Sequence, residues 1–200
     1  MVPPSARDRF DAARLINIAN GLTAARVLMV PYFAYLLISG RGKSALLLFA
    51  VCGATDALDG LLARWLRQRT LVGTLLDPIA DKLLMATAFI VLSYVHIAPL
   101  RLAIMVISRD IIILTGSLIY LLLFGASDIR PTGLSKGNTA VQILTVIYFL
   151  AIAAFPVEAA ALGTGKGTLP DRAVTLTCAV TTVASGLQYL YIGIRKLSDA

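Results

Sequence analysis

Four aspartates form the densest group of chemically active side chains in this sequence. Asp56 and Asp59 stand in one apolar run, and Asp77 and Asp81 stand in the next. At helical geometry, spacings of three and four residues place each pair on one face of its helix. Ionisable groups inside apolar runs are costly to desolvate, so they indicate a functional site by default. Neighbouring carboxylates cannot all stay ionised without cations, so this pattern predicts a cation site.

The donor type indicates which cation the site would take. All four side chains offer oxygen, and no His or Cys stands among them, so the set favours Mg²⁺ or Mn²⁺ over zinc. Two such ions bridging a diphosphate would serve a phosphoryl-type displacement. The alternative is buried ion pairing of the carboxylates with Arg64, Lys82 or Arg109. Small residues on the same faces would let a ligand or a neighbouring helix approach the backbone: Gly60, Ala63 and Gly73.

The elements that must carry these residues are apolar throughout. Of 200 residues, 58% are apolar and only 14% are charged, and the mean hydropathy of +0.83 excludes an ordinary soluble domain. Six runs are each about long enough to cross a bilayer, and a chain in lipid must satisfy its own backbone within helices. The predicted fold is therefore an all-α integral membrane protein with six transmembrane helices, over 22–39, 44–66, 72–95, 100–125, 136–157 and 172–195.

Basic residues add an orientation to this arrangement. Lys and Arg number 18 against 11 Asp and Glu, and they are more frequent in the loops on the side of both termini. This bias predicts that the termini and the loop between Arg64 and Val72 face the cytoplasm. Residues 1–19 mix arginines with apolar side chains, which is typical of a helix in the headgroup plane, ahead of a bundle over 20–200. The whole chain, 1–200, is predicted to be a single domain whose basic loops favour anionic lipid over nucleic acid.

The run from Asp56 to Asp81 resembles the signature of the CDP-alcohol phosphatidyltransferases. All eight specified positions match without a change in spacing: Asp56, Asp59, Gly60, Ala63, Arg64, Gly73, Asp77 and Asp81. The resemblance implies transfer of a phosphatidyl group from CDP-diacylglycerol to an alcohol acceptor, with release of CMP. It also implies that Asp56, Asp59 and Asp77 hold two Mg²⁺ or Mn²⁺ ions, and that Asp81 shares a metal and acts as the general base.

The resemblance extends to nucleotide binding and assembly. Asn20 and Thr23 resemble the family's entry to its first span, although an N-cap is the alternative for Asn20. The implied nucleotide-binding set is Asn20, Thr23, Asp56, Asp59, Gly60, Ala63, Arg64 and Gly73. A homodimer in the bacterial inner membrane is also implied, and the mitochondrial inner membrane is the alternative location.

A second polar group in the fourth and fifth spans is expected to bind the acceptor. Arg109 and Asp110 lie about ten residues into an apolar run, and adjacent helix positions point about 100° apart. We therefore expect them to neutralise each other poorly and each to need another partner. Lys136 and Arg109 are suited to clamp an acceptor phosphate, although a lysine that reaches the membrane interface is the alternative for Lys136. Asn138 and Gln142 stand four residues apart and are expected to pair with each other. The predicted acceptor-binding set is Arg109, Asp110, Ser135, Lys136, Asn138, Thr139 and Gln142.

Within the family, Ser108-Arg109-Asp110 and the run from Ser135 to Gln142 resemble the CMP-forming cardiolipin synthases. That resemblance implies phosphatidylglycerol as the acceptor and cardiolipin as the product. A phosphatidylglycerophosphate synthase that uses sn-glycerol 3-phosphate is the alternative, because such enzymes carry related polar residues in these helices. A small cation transporter with the four carboxylates as its ion path is a third hypothesis, which the lack of an inverted repeat disfavours.

Overall fold

The computed structural model describes residues 18–66, 71–124 and 133–198, and every described element is helical. The helices are α1 Ile18–Ile38, α2 Gly42–Leu66, α3 Leu71–Tyr94, α4 Leu100–Phe124, α5 Gly133–Ala154, α6 Pro156–Ala161 and α7 Leu169–Ser198. The prediction of an all-α protein is confirmed. Each of the six long helices begins and ends within four residues of a predicted span.

A short additional helix, α6, departs from the prediction of one continuous span over 136–157. Helix α5 ends at Ala154, and α6 begins at Pro156. Proline has no N–H to donate and disfavours helical geometry in the residue before it. Phe155 accordingly leaves the helical region, with φ −133° and ψ 61°. The predicted span was too long because Pro156 interrupts the helix near its end.

Helices α1 and α2 are joined by a turn that requires glycine twice. Gly40 has φ +71°, and the N–H of Arg41 donates to the carbonyl of Leu36, which satisfies the end of α1. Gly42 is buried against the end of α5, where a Cβ atom would overlap the carbonyl of Ala153. Glycine at position 42 therefore lets the start of α2 pack directly on the α5 backbone.

Helix α5 lies at the centre of the packing and contacts α2, α3 and α7, while α4 packs between α3 and α7. Helix α1 covers α2 and α3 on the other side. The core is formed by large apolar side chains that are almost completely buried: Phe33, Phe89, Leu92, Leu102, Phe149 and Leu150. Cys52 and Cys178 are both buried in this core, and no disulfide joins them.

Large apolar side chains also cover much of the outer surface. On α7, Leu176, Val180 and Leu187 are each more than 60% exposed. Among the described residues, Gly133–Ala154 and Leu169–Gly193 are long and apolar enough to cross a membrane. These two helices agree with a membrane location on length and composition. The predicted interfacial segment falls almost wholly on residues 1–17, which lie outside the described residues.

Candidate functional site

The signature aspartates lie on two consecutive helices. Asp56 and Asp59 are on α2, and Asp77 and Asp81 are on α3, but their side chains lie outside those that the structure describes. Among the described side chains, no group of three or more His, Cys, Asp or Glu residues could hold a metal ion. The predicted metal site and the role of Asp81 therefore remain predictions.

The predicted nucleotide-binding residues are placed only by helix. Asn20 and Thr23 lie on α1, while Gly60, Ala63 and Arg64 lie on α2 and Gly73 lies on α3. Their side chains also lie outside the described ones. Asn20 stands inside α1, which already includes Ile18, so the N-cap alternative for this residue is wrong.

A partly buried ion-pair network joins α3 to α4. Lys82 Nζ donates to Asp110 Oδ2 at 2.7 Å, and Arg109 donates through Nη1 to Asp110 Oδ1, also at 2.7 Å. The expectation that the adjacent residues Arg109 and Asp110 neutralise each other poorly was wrong, because the long guanidinium reaches back to the carboxylate. Asp110 also has the further partner that was expected, and that partner is Lys82.

Arg109 extends this network to two more helices. Its Nη2 donates to Ser135 Oγ of α5 at 2.8 Å and to Ser185 Oγ of α7 at 2.6 Å. The arginine is only 6% exposed, so its charge depends on the carboxylate and on these hydroxyls for the solvation that water would otherwise provide. Arg109 therefore ties α4, α5 and α7 together at one point.

A second set of polar contacts continues along α5. Thr182 of α7 donates to Asn138 Oδ1 at 3.2 Å and accepts from Gln142 Nε2 at 3.5 Å. Asn138 and Gln142 are each 1% exposed. They were expected to pair with each other, but the contacts described for both side chains are to the α7 hydroxyl. Together, Lys82, Arg109, Asp110, Ser135, Asn138, Gln142, Thr182 and Ser185 form what we term the buried polar cluster.

Two donors in this cluster have no acceptor within the described ranges. They are Arg109 Nε and Asn138 Nδ2, both buried. A buried N–H without an acceptor costs free energy, so such groups normally bond to protein, water or ligand. These two N–H donors are therefore the members of the cluster that are left to bond to a group outside the described residues.

The remaining members of the predicted acceptor set occupy different environments. Lys136 is exposed, and it forms no ion pair within the part of the chain that the structure describes. Thr139 is half-buried, and its hydroxyl donates to the Ser135 carbonyl at 3.1 Å in its own helix. The structure thus brings together Arg109, Asp110 and Ser135, and it leaves Lys136 outside their hydrogen bonds.

Comparison with known proteins now decides the family. The sequence model of CDP-alcohol phosphatidyltransferase matches residues 16–188, which is most of the chain. The chain belongs to the CDP-alcohol phosphatidyltransferase family. The match covers all of the described helices except the last residues of α7.

The chain is similar to cardiolipin synthases and to phosphatidylglycerophosphate synthases. The chain is 35% identical over 155 residues to a human CMP-forming cardiolipin synthase, covering 70% of this chain and 52% of that protein. It is 30% identical over 191 residues to a probable phosphatidylglycerophosphate synthase of Mycobacterium tuberculosis, covering 92% and 85%. It is also 37% identical over 146 residues to a Pseudomonas fluorescens CDP-diacylglycerol–glycerol-3-phosphate 3-phosphatidyltransferase, covering 68% and 73%. The chain spans about half the length of the cardiolipin synthases that it matches from human, rat and fruit fly.

Three cluster residues of this CDP-alcohol phosphatidyltransferase were not among the predicted site residues. Lys82 follows Asp81 directly, and its charge within an apolar helix was a signal that could have identified it. Thr182 and Ser185 stand three residues apart on one face of α7. Their signal was weak, because Ser and Thr are common where apolar helices pack closely.

Proposed function

We propose that this protein transfers the phosphatidyl group of CDP-diacylglycerol to phosphatidylglycerol, forming cardiolipin and releasing CMP. The single observation that carries the proposal is the complete family signature from Asp56 to Asp81, within a chain that matches the family over residues 16–188. The human relative's name as a CMP-forming cardiolipin synthase supports this choice of acceptor.

The proposed metal site uses Asp56, Asp59, Asp77 and Asp81. The fit rests on the donor set, four carboxylates with no sulfur or imidazole among them, which suits two Mg²⁺ or Mn²⁺ ions. Bound there, the ions would neutralise the diphosphate and stabilise departing CMP. Asp81 takes the proton from the acceptor hydroxyl, whose oxygen then attacks the phosphatidyl phosphorus as the bond to CMP breaks. The small residues Gly60, Ala63 and Gly73 leave room for the nucleotide beside the backbone.

The buried polar cluster is proposed to hold the acceptor. Arg109 Nε and Asn138 Nδ2 supply donors for phosphate oxygens, while Ser135 and Asp110 keep the guanidinium in position. Lys136 stands at the exposed start of α5, the helix that carries Ser135 and Asn138, and would attract the headgroup of the acceptor. Lys82 and Arg109 together exceed Asp110 by one positive charge, which suits the single negative charge of a phosphodiester such as phosphatidylglycerol.

A phosphatidylglycerophosphate synthase is the second candidate. The relative from Mycobacterium tuberculosis covers a larger share of both chains than the human cardiolipin synthase does. In that case the acceptor would be sn-glycerol 3-phosphate, and Lys136 would supply the additional cation that a phosphomonoester requires. The two candidates share the first substrate and the released CMP, and they differ only in the acceptor.

The proposed setting is a membrane with the site at its cytoplasmic face. The chain is proposed to form one domain over 1–200, with six membrane-spanning helices and an interfacial segment over 1–19. Apolar side chains exposed along α7 and the basic bias of the loops support this arrangement. A homodimer in the bacterial inner membrane, or alternatively in the mitochondrial inner membrane, completes the proposal.

The test is reconstitution of the purified protein with CDP-diacylglycerol and either phosphatidylglycerol or glycerol 3-phosphate, with and without Mg²⁺ or Mn²⁺. We expect metal-dependent CMP release with phosphatidylglycerol, and cardiolipin as the product in mass spectrometry. Product formation only with glycerol 3-phosphate would select the second candidate. Cation flux without any CMP release would refute both candidates and favour a transporter.

A further inference from the structure

A crevice of about 630 Å³ opens between the first turns of α4 and α7. It lies at the end of the bundle where α2 also begins. Asp59 stands 17 residues along α2 from Gly42, which corresponds to about 25 Å of helix. The crevice is therefore separate from the signature aspartates and from the proposed transfer reaction.

The interior of the crevice is apolar. Along α7 it extends from Asp171 to Ala179, about 12 Å of helix. Its walls are formed by side chains that would contact hydrocarbon: Ile97, Leu102, Met105, Leu176 and Ala179. A surface of this kind suits the first part of an acyl chain, which a free anion lacks.

The same crevice is also lined by three cations. Arg101, Lys166 and Arg172 are exposed, and they lie at the start of α4, in the loop before α7 and at the start of α7, respectively. The ion pairs described for this chain, Lys82–Asp110 and Arg109–Asp110, include none of these three side chains. Uncompensated cations beside an apolar wall match a lipid with a negatively charged phosphate.

One carboxylate lines the same crevice. Asp171 is 5% exposed and lines the crevice. Its Oδ2 accepts the N–H of Gly167 at 2.9 Å, whereas its Oδ1 has no partner among the described residues. An ionised carboxylate only accepts hydrogen bonds, so a hydroxyl group on a ligand would satisfy this oxygen.

We propose that the crevice binds an anionic phospholipid whose headgroup carries a hydroxyl, such as phosphatidylglycerol, from the leaflet opposite the aspartates. Its acyl chain lies against Leu176 and Ala179, and its phosphate lies near Arg101 and Lys166. A headgroup hydroxyl donates to Asp171. Three cations against one carboxylate give the crevice a net positive charge, so it favours an anionic headgroup over a zwitterionic one.

The test counts lipids bound per chain by native mass spectrometry of the full-length protein in detergent. The crevice variant is Arg101→Gln/Lys166→Gln, and the matched control is Arg41→Gln/Lys43→Gln, which removes one Arg and one Lys at the same end. We expect the crevice variant to bind one dioleoyl phosphatidylglycerol fewer than wild type does, with that site weakened about 30-fold. The control should bind as wild type does. Any phosphatidylglycerol at the proposed substrate site is retained in all three proteins.

Three ligand comparisons complete the test. Dioleoyl phosphatidylcholine and inorganic phosphate should not compete for the site. Phosphatidylmethanol, which has the same charge but no headgroup hydroxyl, should bind more weakly than phosphatidylglycerol. Equal phosphatidylglycerol binding by the crevice variant and wild type, or equal loss in the control, would overturn the proposal. Competition by inorganic phosphate would show that the crevice binds free anions instead. If phosphatidylmethanol binds as tightly as phosphatidylglycerol does, Asp171 does not bind a headgroup hydroxyl.

A second variant tests the apolar wall without changing charge. Ala179→Phe would fill the crevice, whereas Ala173→Phe places the same ring on an exposed part of α7. We expect Ala179→Phe alone to lose the same phosphatidylglycerol. Unchanged binding in that variant would contradict the placement of the acyl chain. CMP release, measured in parallel, should persist in all of these variants, so a failure of the proposed transfer reaction would be seen separately.

Discussion

At Asp110, charged side chains from α3 and α4 meet on one carboxylate. Both of its oxygens accept from cations at 2.7 Å, one from Lys82 and one from Arg109. Hydrogen bonds to an ionised partner are shorter and stronger than neutral ones, and the low dielectric of the interior strengthens them. Arg109, held by this carboxylate, also donates hydrogen bonds to the hydroxyls of Ser135 and Ser185. The position of Arg109 in the proposed acceptor site is therefore maintained by three other side chains.

The proposed base makes a first prediction at this scale. Asp81→Asn should lower CMP release by at least about 100-fold, because the amide cannot take the acceptor's proton. Binding of CDP-diacylglycerol, measured by calorimetry, should remain close to that of wild type. Glu158→Gln, which neutralises an exposed acid in α6, is the control and should retain full activity. Near-normal turnover of the Asp81 variant would contradict its role as the base.

The hydroxyl of Ser185 makes a second prediction. Ser185→Ala removes one of the hydrogen bonds that hold Arg109, so we expect the KM for the acceptor to rise by up to about tenfold. The KM for CDP-diacylglycerol should not change, and steady-state kinetics with each substrate varied in turn would show the difference. Thr177→Ala, at an exposed position on the same helix, serves as the control. Equal effects on both KM values would mean that Ser185 has only a structural role.

At the scale of the helices, the Asp110 contacts also hold α3 against α4. Asp110→Asn would leave two cations without their carboxylate, whereas Lys82→Met leaves Asp110 paired with Arg109. We expect Asp110→Asn to destabilise the fold by about 3 kcal/mol and Lys82→Met by about 1 kcal/mol or less. Thermal unfolding in detergent would measure both. An equal loss of stability from the two substitutions would show that the ion pair between Arg109 and Asp110 contributes nothing to stability.

The contact between α2 and α5 allows a matched glycine test. Gly42→Ala should destabilise the protein by about 1–3 kcal/mol, because the new Cβ atom meets the backbone at Ala153. Gly53→Ala lies on the same helix with nothing within 4 Å, so it should stabilise the protein by about 0.5–1 kcal/mol. Unfolding temperatures of the two variants should therefore shift in opposite directions. If Gly42→Ala is as stable as wild type, α2 does not pack against α5 as closely as described.

At the scale of the whole molecule, the loop basicity predicts an orientation. In a background without Cys52 and Cys178, a cysteine replacing Lys166 should react with a membrane-impermeant maleimide on intact spheroplasts. A cysteine replacing Lys196 should react only after permeabilisation, because both termini are proposed to be cytoplasmic. The opposite labelling pattern would show that the chain has the inverse orientation in the membrane. Protection of both positions in intact cells would show that α7 does not cross the membrane.

Much of this protein was determined by the sequence alone. Hydropathy located the six long helices, because a long apolar run in lipid satisfies its backbone hydrogen bonds by forming a helix. The eight signature residues between Asp56 and Asp81, at their characteristic spacing, resembled the family's signature. The family match over residues 16–188 confirmed that membership. The break at Pro156 was also available from the sequence, since proline ends helices for a local reason, but the apolar run concealed it.

Only the tertiary structure decided which polar side chains meet. Lys82, Thr182 and Ser185 reach Asp110, Asn138 and Arg109 across 28, 44 and 76 residues of chain, respectively. Local periodicity specifies the face of a helix on which a residue lies, but not which helix packs against that face. The reach of an arginine back to its neighbouring carboxylate likewise depends on side-chain rotamers, which the surrounding helices select. Helix existence is a local property of the sequence, whereas the buried polar cluster is a property of the packing.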